Sequence, residues 1–176
     1  MDVSGYCARF MSTSRRGFLR GRIGSDPDMQ RPPWAIADGA FEDRCTRCGD
    51  CLKACPPAIL VAAPGGYPVV DFSRGECSFC GDCVAACKAE ALRRADDAAT
   101  PWQLRAVIGD ACLARRGVEC RVCGEVCSET AIRFRPSLGG VAQPLFDAGR
   151  CTGGGGCQAP CPTGAIAMKN EVEMSV

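Results

Sequence analysis

The chain has 176 residues, of which 16 are cysteine, 21 glycine, 12 proline and none histidine, with 6% aromatic residues and a formal net charge of +1. The lack of histidine excludes Cys2His2 zinc fingers, Rieske clusters and histidine-based acid–base catalysis, and mixed charges so near balance give no electrostatic basis for nucleic-acid binding. Cysteine this abundant belongs either to a disulfide scaffold or to a metal protein; with no secretory leader visible and no apolar stretch near membrane-span length, the expectation is a soluble, cytoplasmic metal protein whose bound metal stabilises it.

Residues 1–35 read as a flexible arm. Within it, Ser14-Arg15-Arg16-Gly17-Phe18-Leu19-Arg20 resembles the twin-arginine export motif. A working signal continues into an uncharged apolar segment, whereas Arg22, Asp26, Asp28 and Arg31 come next here. Retention in the cytoplasm is therefore expected, with the arm either a basic tail or a recognition segment for a partner. Cys7 stands apart from the other cysteines and reads as a spare thiol. Arg31-Pro32-Pro33-Trp34 reads as an extended anchor whose tryptophan packs on the first lobe.

Residues 36–98 form that first expected lobe. Cys45, Cys48, Cys51 and Cys55 make one C-x2-C-x2-C-x3-C run, and Cys77, Cys80, Cys83 and Cys87 make another. This is the run of bacterial ferredoxins, in which three closely spaced thiolates wrap one cubane and the fourth serves the neighbouring one. The expected sets are Cys45, Cys48, Cys51 and Cys87 on one [4Fe–4S] cluster, and Cys77, Cys80, Cys83 and Cys55 on a second. The fourth cysteine of each run is expected to start a short helix facing the partner cluster. Zinc sites instead hold two C-x2-C pairs well apart in sequence, a spacing these runs lack. Lys88 follows Cys87 where the run ordinarily has proline, and Ser128 does so after Cys127; an inward lysine would raise a cluster potential, an exposed one would be screened.

Residues 99–170, beginning near Pro101-Trp102, repeat the pattern, and 171–176 form a tail. Cys151 follows Cys77, and Cys161 follows Cys87, by the same 74 residues, which also sets Phe146 against Phe72. Tyr67–Phe72 and Val141–Phe146 are the expected strands. Apolar pairs follow the last cysteine of each run: Ile59-Leu60, Ala91-Leu92, Ala131-Ile132 and Ala165-Ile166. Units repeated in this way bury their apolar faces against one another. The third run is split, with Leu113–Glu119 inserted between Cys112 and Cys120 ahead of Cys123 and Cys127, and the insert is expected to bulge outward. Cys112 reads either as a ligand or as a buried thiol, and the repeat favours the ligand. The fourth run, Cys151-Thr-Gly-Gly-Gly-Gly-Cys157-Gln-Ala-Pro-Cys161, has Gly154 where the second thiolate belongs. The crossed rule gives Cys112, Cys120, Cys123 and Cys161 to a third cluster. It leaves Cys151, Cys157 and Cys127 for a fourth site, holding a [3Fe–4S] cluster, a labile [4Fe–4S] cluster, or none. The expected fold class is α+β: two tandem, loop-rich 2[4Fe–4S] ferredoxin-like lobes stabilised by their clusters.

The segments SRRGFLRGR, RPPWA, CTRCGDC, GGYPVVDF, ECSFCGDC, PWQL, IGDACLA, GVECRVC and AIRFRPSLGG together resemble the ferredoxin-type proteins of periplasmic nitrate reductase operons, the NapF family, from about Ser14 to Lys169. The family pattern has a cysteine where this chain has Gly154. The resemblance implies a non-enzymatic cytoplasmic iron–sulfur protein that meets the precursor of the reductase's catalytic subunit and takes part in its maturation before export. A multi-cluster electron carrier in a redox chain is the alternative reading, and a redox or iron sensor a third. No phosphate-cradling loop or paired nucleophile and base points to catalysis by this chain.

Overall fold

The four cysteine runs recur as one backbone device. In the computed structural model, which describes residues 29–94 and 100–170, the N–H groups of Ala58, Glu90, Thr130 and Gly164 donate to the carbonyls of Cys55, Cys87, Cys127 and Cys161 at 3.0–3.1 Å. All four donors sit in the left-handed region, with φ between 49° and 60°. For the residues with a Cβ this conformation costs about 1–2 kcal/mol each, so surrounding packing must hold it. That packing comes directly after the turns: the eight apolar residues Ile59-Leu60, Ala91-Leu92, Ala131-Ile132 and Ala165-Ile166 are all buried. The arm up to residue 28, with Cys7 and the twin-arginine segment, and the 171–176 tail lie outside the described residues.

Each half combines an outer strand pairing with an inner hairpin. In the first, Ala35 bridges Leu92 in antiparallel fashion, and Leu60–Ala62 (β1) pairs with Pro68–Val70 (β2). In the second, Leu104–Ile108 (β3) pairs with Ile166–Asn170 (β6), and Ile132–Ser137 (β4) with Gly140–Phe146 (β5). Helices are short. Asp50–Lys53 (α2), Asp82–Ala85 (α3) and Val122–Glu125 (α4) carry the buried third cysteines Cys51, Cys83 and Cys123. They end before the fourth cysteine, contrary to the expectation that the fourth cysteine starts the helix. One helical turn swings the third thiolate inward, and the following left-handed turn throws the fourth across to the other side. The fourth run builds turns in place of this helix, since Gly156 opens the stretch and Pro160 stands where the other runs have Ala54, Ala86 and Val126, disfavouring helical backbone at Ala159.

Asp38–Arg44 (α1) was not legible in sequence: its one large apolar residue, Phe41, is fully buried but makes no periodic stripe. Arg31 caps this packing, its guanidinium 4.9 Å from the Phe41 ring centroid and 5.5 Å from that of Tyr67, and 2.9 Å from the Glu42 carboxylate. Trp34 is buried, as an anchor should be, but turns at φ 57° instead of running extended. The Arg94 guanidinium lies 4.2 Å from its ring centroid.

The ladder register corrects one correspondence. Leu60 pairs with Val70, while Ile132 pairs with Phe146, so Phe146 is the counterpart of Val70 and not of Phe72. Both halves then turn alike: Asp71 accepts the Ser73 N–H ahead of the 3-10 turn Phe72–Arg74, and Asp147 accepts the Gly149 N–H ahead of a turn over 148–150, but the first half has two more residues, Gly75 and Glu76, before its cysteine. Phe72 is buried and serves a different contact. Together with Phe79 it packs edge-on against Trp102, centroids 5.7 and 5.8 Å away. Around these rings the halves meet. Across this seam Cys77 N–H donates to the Gly154 carbonyl at 2.8 Å, and within the second half Trp102 Nε1–H holds the same loop through the Thr152 carbonyl at 3.3 Å.

Gly155 lies at φ 81°, and a Cβ there would overlap the Phe72 ring, whereas a Cβ at Gly154 would meet nothing nearer than 3.5 Å. Gly155→Ala is expected to destabilise by about 3 kcal/mol and Gly154→Ala to change stability by less than about 1 kcal/mol. The guanidinium midpoints of the two variants check the contrast.

Candidate metal centres

The fifteen cysteines of the described residues form no disulfide. Four cavities gather all of them. Cys45, Cys48, Cys51 and Cys87 rim one with Phe41, Leu52 and Leu92. Cys77, Cys80, Cys83 and Cys55 rim another beneath Trp34, Ile59 and Leu60. Cys112, Cys120, Cys123 and Cys161 share a third with Ile108, Phe134 and Ile166. Cys127, Cys151 and Cys157 line a fourth together with residues 152–156. In every case the fourth cysteine of one run stands among the first three positions of the other run in its half.

The spacing of these thiols separates two chemistries. A zinc ion needs its sulfurs at about 2.3 Å from one point; among the described residues no three Cys, Asp or Glu side chains converge on such a point. Thiols spread around the walls of a cavity suit a polynuclear body whose corners lie apart. The sulfurs are also prepared as acceptors. Backbone N–H groups of Leu92, Ala131 and Ala165 point at the Sγ atoms of Cys87, Cys127 and Cys161 at 3.5, 3.3 and 3.2 Å, contacts that stabilise thiolates and tune cluster potentials.

Electrostatics sharpen the same point. Burial first, then repulsion from Cys45, Cys87 and Cys48, pushes the Cys51 thiol up to about 11. Burial likewise raises Cys77 to about 11 and Cys83 to about 12, with Cys55 and Cys80 adding to both. Cys123 rises to about 11 and Cys157 to about 12 for the same reasons. Cys161 goes the other way: burial acts to raise it, but N–H groups of Thr163 and Ala165 and the Thr163 hydroxyl outweigh burial and lower it. A positive inorganic core would remove both the burial penalty and the repulsion, so the donor set fits iron–sulfur clusters.

The two irregular runs differ in how they depart. The insert after Cys112 is fastened at its start and exposed beyond it: Ala114 is fully buried and its carbonyl accepts from Gln143 Nε2 at 2.8 Å, while residues 115–119 are exposed. Arg115 and Arg116 remain exposed on its outside, and Lys88 is exposed as well. In the fourth run the backbone keeps the template. Arg47 and Gly49 flank Cys48, and Phe79 and Gly81 flank Cys80, all with positive φ; Gly153 and Gly155 flank Gly154 in the same way. The position that corresponds to Cys48 and Cys80 has no side chain, while the loop around it has their shape. Glu76 lines this cavity from the first half of the chain; no spacing rule could have found it, because it belongs to another run.

A family model described as "4Fe-4S dicluster domain" matches residues 44–91 and 117–165. Among curated proteins, "Ferredoxin-type protein NapF" of Haemophilus influenzae is 44% identical over 89% of this chain and 93% of its own length. Its counterpart in Escherichia coli K12 is 44% identical over 90% of this chain and 96% of its own length. "Methylamine utilization ferredoxin-type protein MauM" of Methylobacillus flagellatus is 33% identical over 86% of this chain and 71% of its own length. The second matched segment begins after Cys112, which the fold nevertheless brings to the third cavity.

Thiols raised from 9.0 to about 11–12 bind protons more tightly in the folded chain than in the unfolded one. The metal-free protein should therefore keep this stabilisation below pH 9.0 and lose it as pH climbs towards about 12. Urea midpoints of the anaerobic, reduced, metal-free chain across that range should fall, and those of the metal-loaded chain should not follow.

Proposed function

Because the chain belongs to the NapF family of ferredoxin-type iron–sulfur proteins, we propose that it is a cytoplasmic accessory protein that binds the precursor of a periplasmic nitrate reductase catalytic subunit and helps to mature it before export. Three cavities hold [4Fe–4S] clusters on Cys45, Cys48, Cys51 and Cys87, on Cys77, Cys80, Cys83 and Cys55, and on Cys112, Cys120, Cys123 and Cys161. Such clusters, when bound, supply one-electron transfer. The fourth cavity, on Cys127, Cys151 and Cys157, holds a three-iron or labile four-iron cluster. No catalytic residue is assigned.

The observation that carries this reading is the glycine at position 154 inside an intact cluster loop. An iron without a protein thiolate is the iron most easily gained or lost, a property suited to handing over electrons or iron–sulfur material. An electron-carrier role is the second reading, and one contact favours it: the Cys77 N–H to Gly154 carbonyl bond joins the loops of the second and fourth cavities across the two halves.

Deleting the gene and assaying the exported reductase with a dye donor separates the two. Enzyme that stays inactive with dye is the expected result, since dye bypasses physiological electron delivery; full dye-linked activity with lost physiological flux would favour the carrier. The purified protein is also expected to capture the precursor and not the mature subunit. At the ligand level, Cys87→Ala should remove about four irons per chain from the first site while the EPR signal of the second persists.

A further inference from the structure

We propose that the Glu76 carboxylate, reaching over from the first half of the chain, is the fourth ligand of the iron–sulfur cluster in the Cys127, Cys151 and Cys157 cavity. This rests on the reading that the fourth cavity is occupied. Three observations place Glu76 there. Its side chain lines that cavity beside the three cysteines. The adjacent residue, Cys77, donates its N–H to the carbonyl of Gly154 at 2.8 Å, which pins the stem of Glu76 to the one loop position that lacks a ligand side chain. Finally, the carboxylate lies where a Cβ on Gly156 would stand: Glu76 Oε2 would overlap it, with Cδ at 3.1 Å and Cβ at 3.3 Å.

That last contact shows a built cradle. In the first two runs the residue before the third cysteine is aspartate, Asp50 and Asp82, whereas the fourth run has Gly156 there. Loss of the side chain at 156 opens the space that Glu76 fills. Loss of the side chain at 154 removes the thiolate that a carboxylate would replace. Charge is conserved by the exchange, since thiolate and carboxylate each bring one negative charge to the iron. Binding strength is not, because a soft thiolate suits cluster iron better than a hard oxygen. The fourth iron is then held, but less firmly than its neighbours. Thr152 competes for the role: its hydroxyl oxygen lies 3.8 Å from a Cβ built on Gly154. A neutral hydroxyl must lose a proton to serve as an anionic ligand, and the carboxylate has the advantage.

The test uses the full chain, loaded anaerobically with Mössbauer-active iron, as wild type and as Glu76→Gln, Glu76→Ala, Thr152→Val and Gly154→Cys. The wild type is expected to show a fourth cluster with one iron distinct from the thiolate-bound irons. Both Glu76 variants should lose about one iron per chain and gain the EPR signal of an oxidised three-iron cluster, with the other three clusters unchanged as a control on folding. Gly154→Cys should convert the distinct iron to the ordinary kind. A distinct iron that survives Glu76→Gln and Glu76→Ala unchanged would overturn the assignment and leave the fourth cluster standing, as would one altered by Thr152→Val alone. Iron for only three clusters in both the wild type and Gly154→Cys would overturn the occupied-cavity reading and this inference with it.

Discussion

Crowded, buried sulfur is the constraint on which the rest of the structure depends. The apolar clusters of the two halves are centred on cysteines: Cys51 and Cys83 pack with Phe41, Leu60 and Leu92, and Cys112, Cys123 and Cys157 with Ile108, Ile132 and Ile166. Around them the interior mixes alanines with a limited set of larger side chains, of which the largest that are completely buried are Phe41, Ile59 and Leu104. Such a core supplies little apolar area for a chain of this length. The thiols would resist ionising in these surroundings without a cation to receive them. An iron–sulfur core resolves both shortages, since it fills the central volume and turns mutual repulsion among thiolates into shared ligation.

The crossed arrangement follows from chain geometry. A single helical turn can aim the third cysteine inward, but continuing the helix would carry the fourth along the same cavity wall. The left-handed residue three positions after the fourth cysteine reverses the chain instead and starts the next strand. Each half thereby ties its two runs together through two exchanged cysteines, each lining the other run's cavity. The same reversal buries the apolar pair behind the turn, so ligand placement and core formation are one local event repeated four times. This explains how the third run tolerates its insert: Leu113–Glu119 lengthens the stretch between first and second ligands, which no strand or crossing depends on, and Ala114 and Gln143 fasten the extra turn to the hairpin.

Much of this was legible in the sequence. Periodic cysteines specify which thiols assemble because their spacing reflects the shape of an inorganic body, and the apolar pairs mark where strands begin. The features that stayed hidden are those that depend on contacts between runs. The α1 helix has one buried aromatic and no stripe. Phe72 looked like the counterpart of Phe146 because a gapless offset counted from the cysteines cannot register the two extra residues, Gly75 and Glu76, ahead of Cys77; only the ladders, Leu60 with Val70 and Ile132 with Phe146, reveal it. The glycines of the fourth run read as a lost ligand. The positive φ of Gly153 and Gly155, and the closeness of Phe72 to Gly155 and of Glu76 to Gly156, show that the stretch also shapes a seam between halves.

The position of that seam bears on function. The fourth cavity touches the loop of the second, so the four sites run in the order first, second, fourth, third, and the site short of a thiolate is interior to the series. A missing ligand at the end of a series would concern the partner surface alone. An interior one would make passage between the halves depend on that site, and on the two halves staying docked around Trp102. A chain selected only to conduct would gain by restoring a cysteine at 154, where the Cβ has room. Keeping glycine there, with Gly155 and Gly156 shaped to the other half, is better explained if the exchange of iron or a change in docking is itself what the protein uses, and this favours the accessory role over simple conduction.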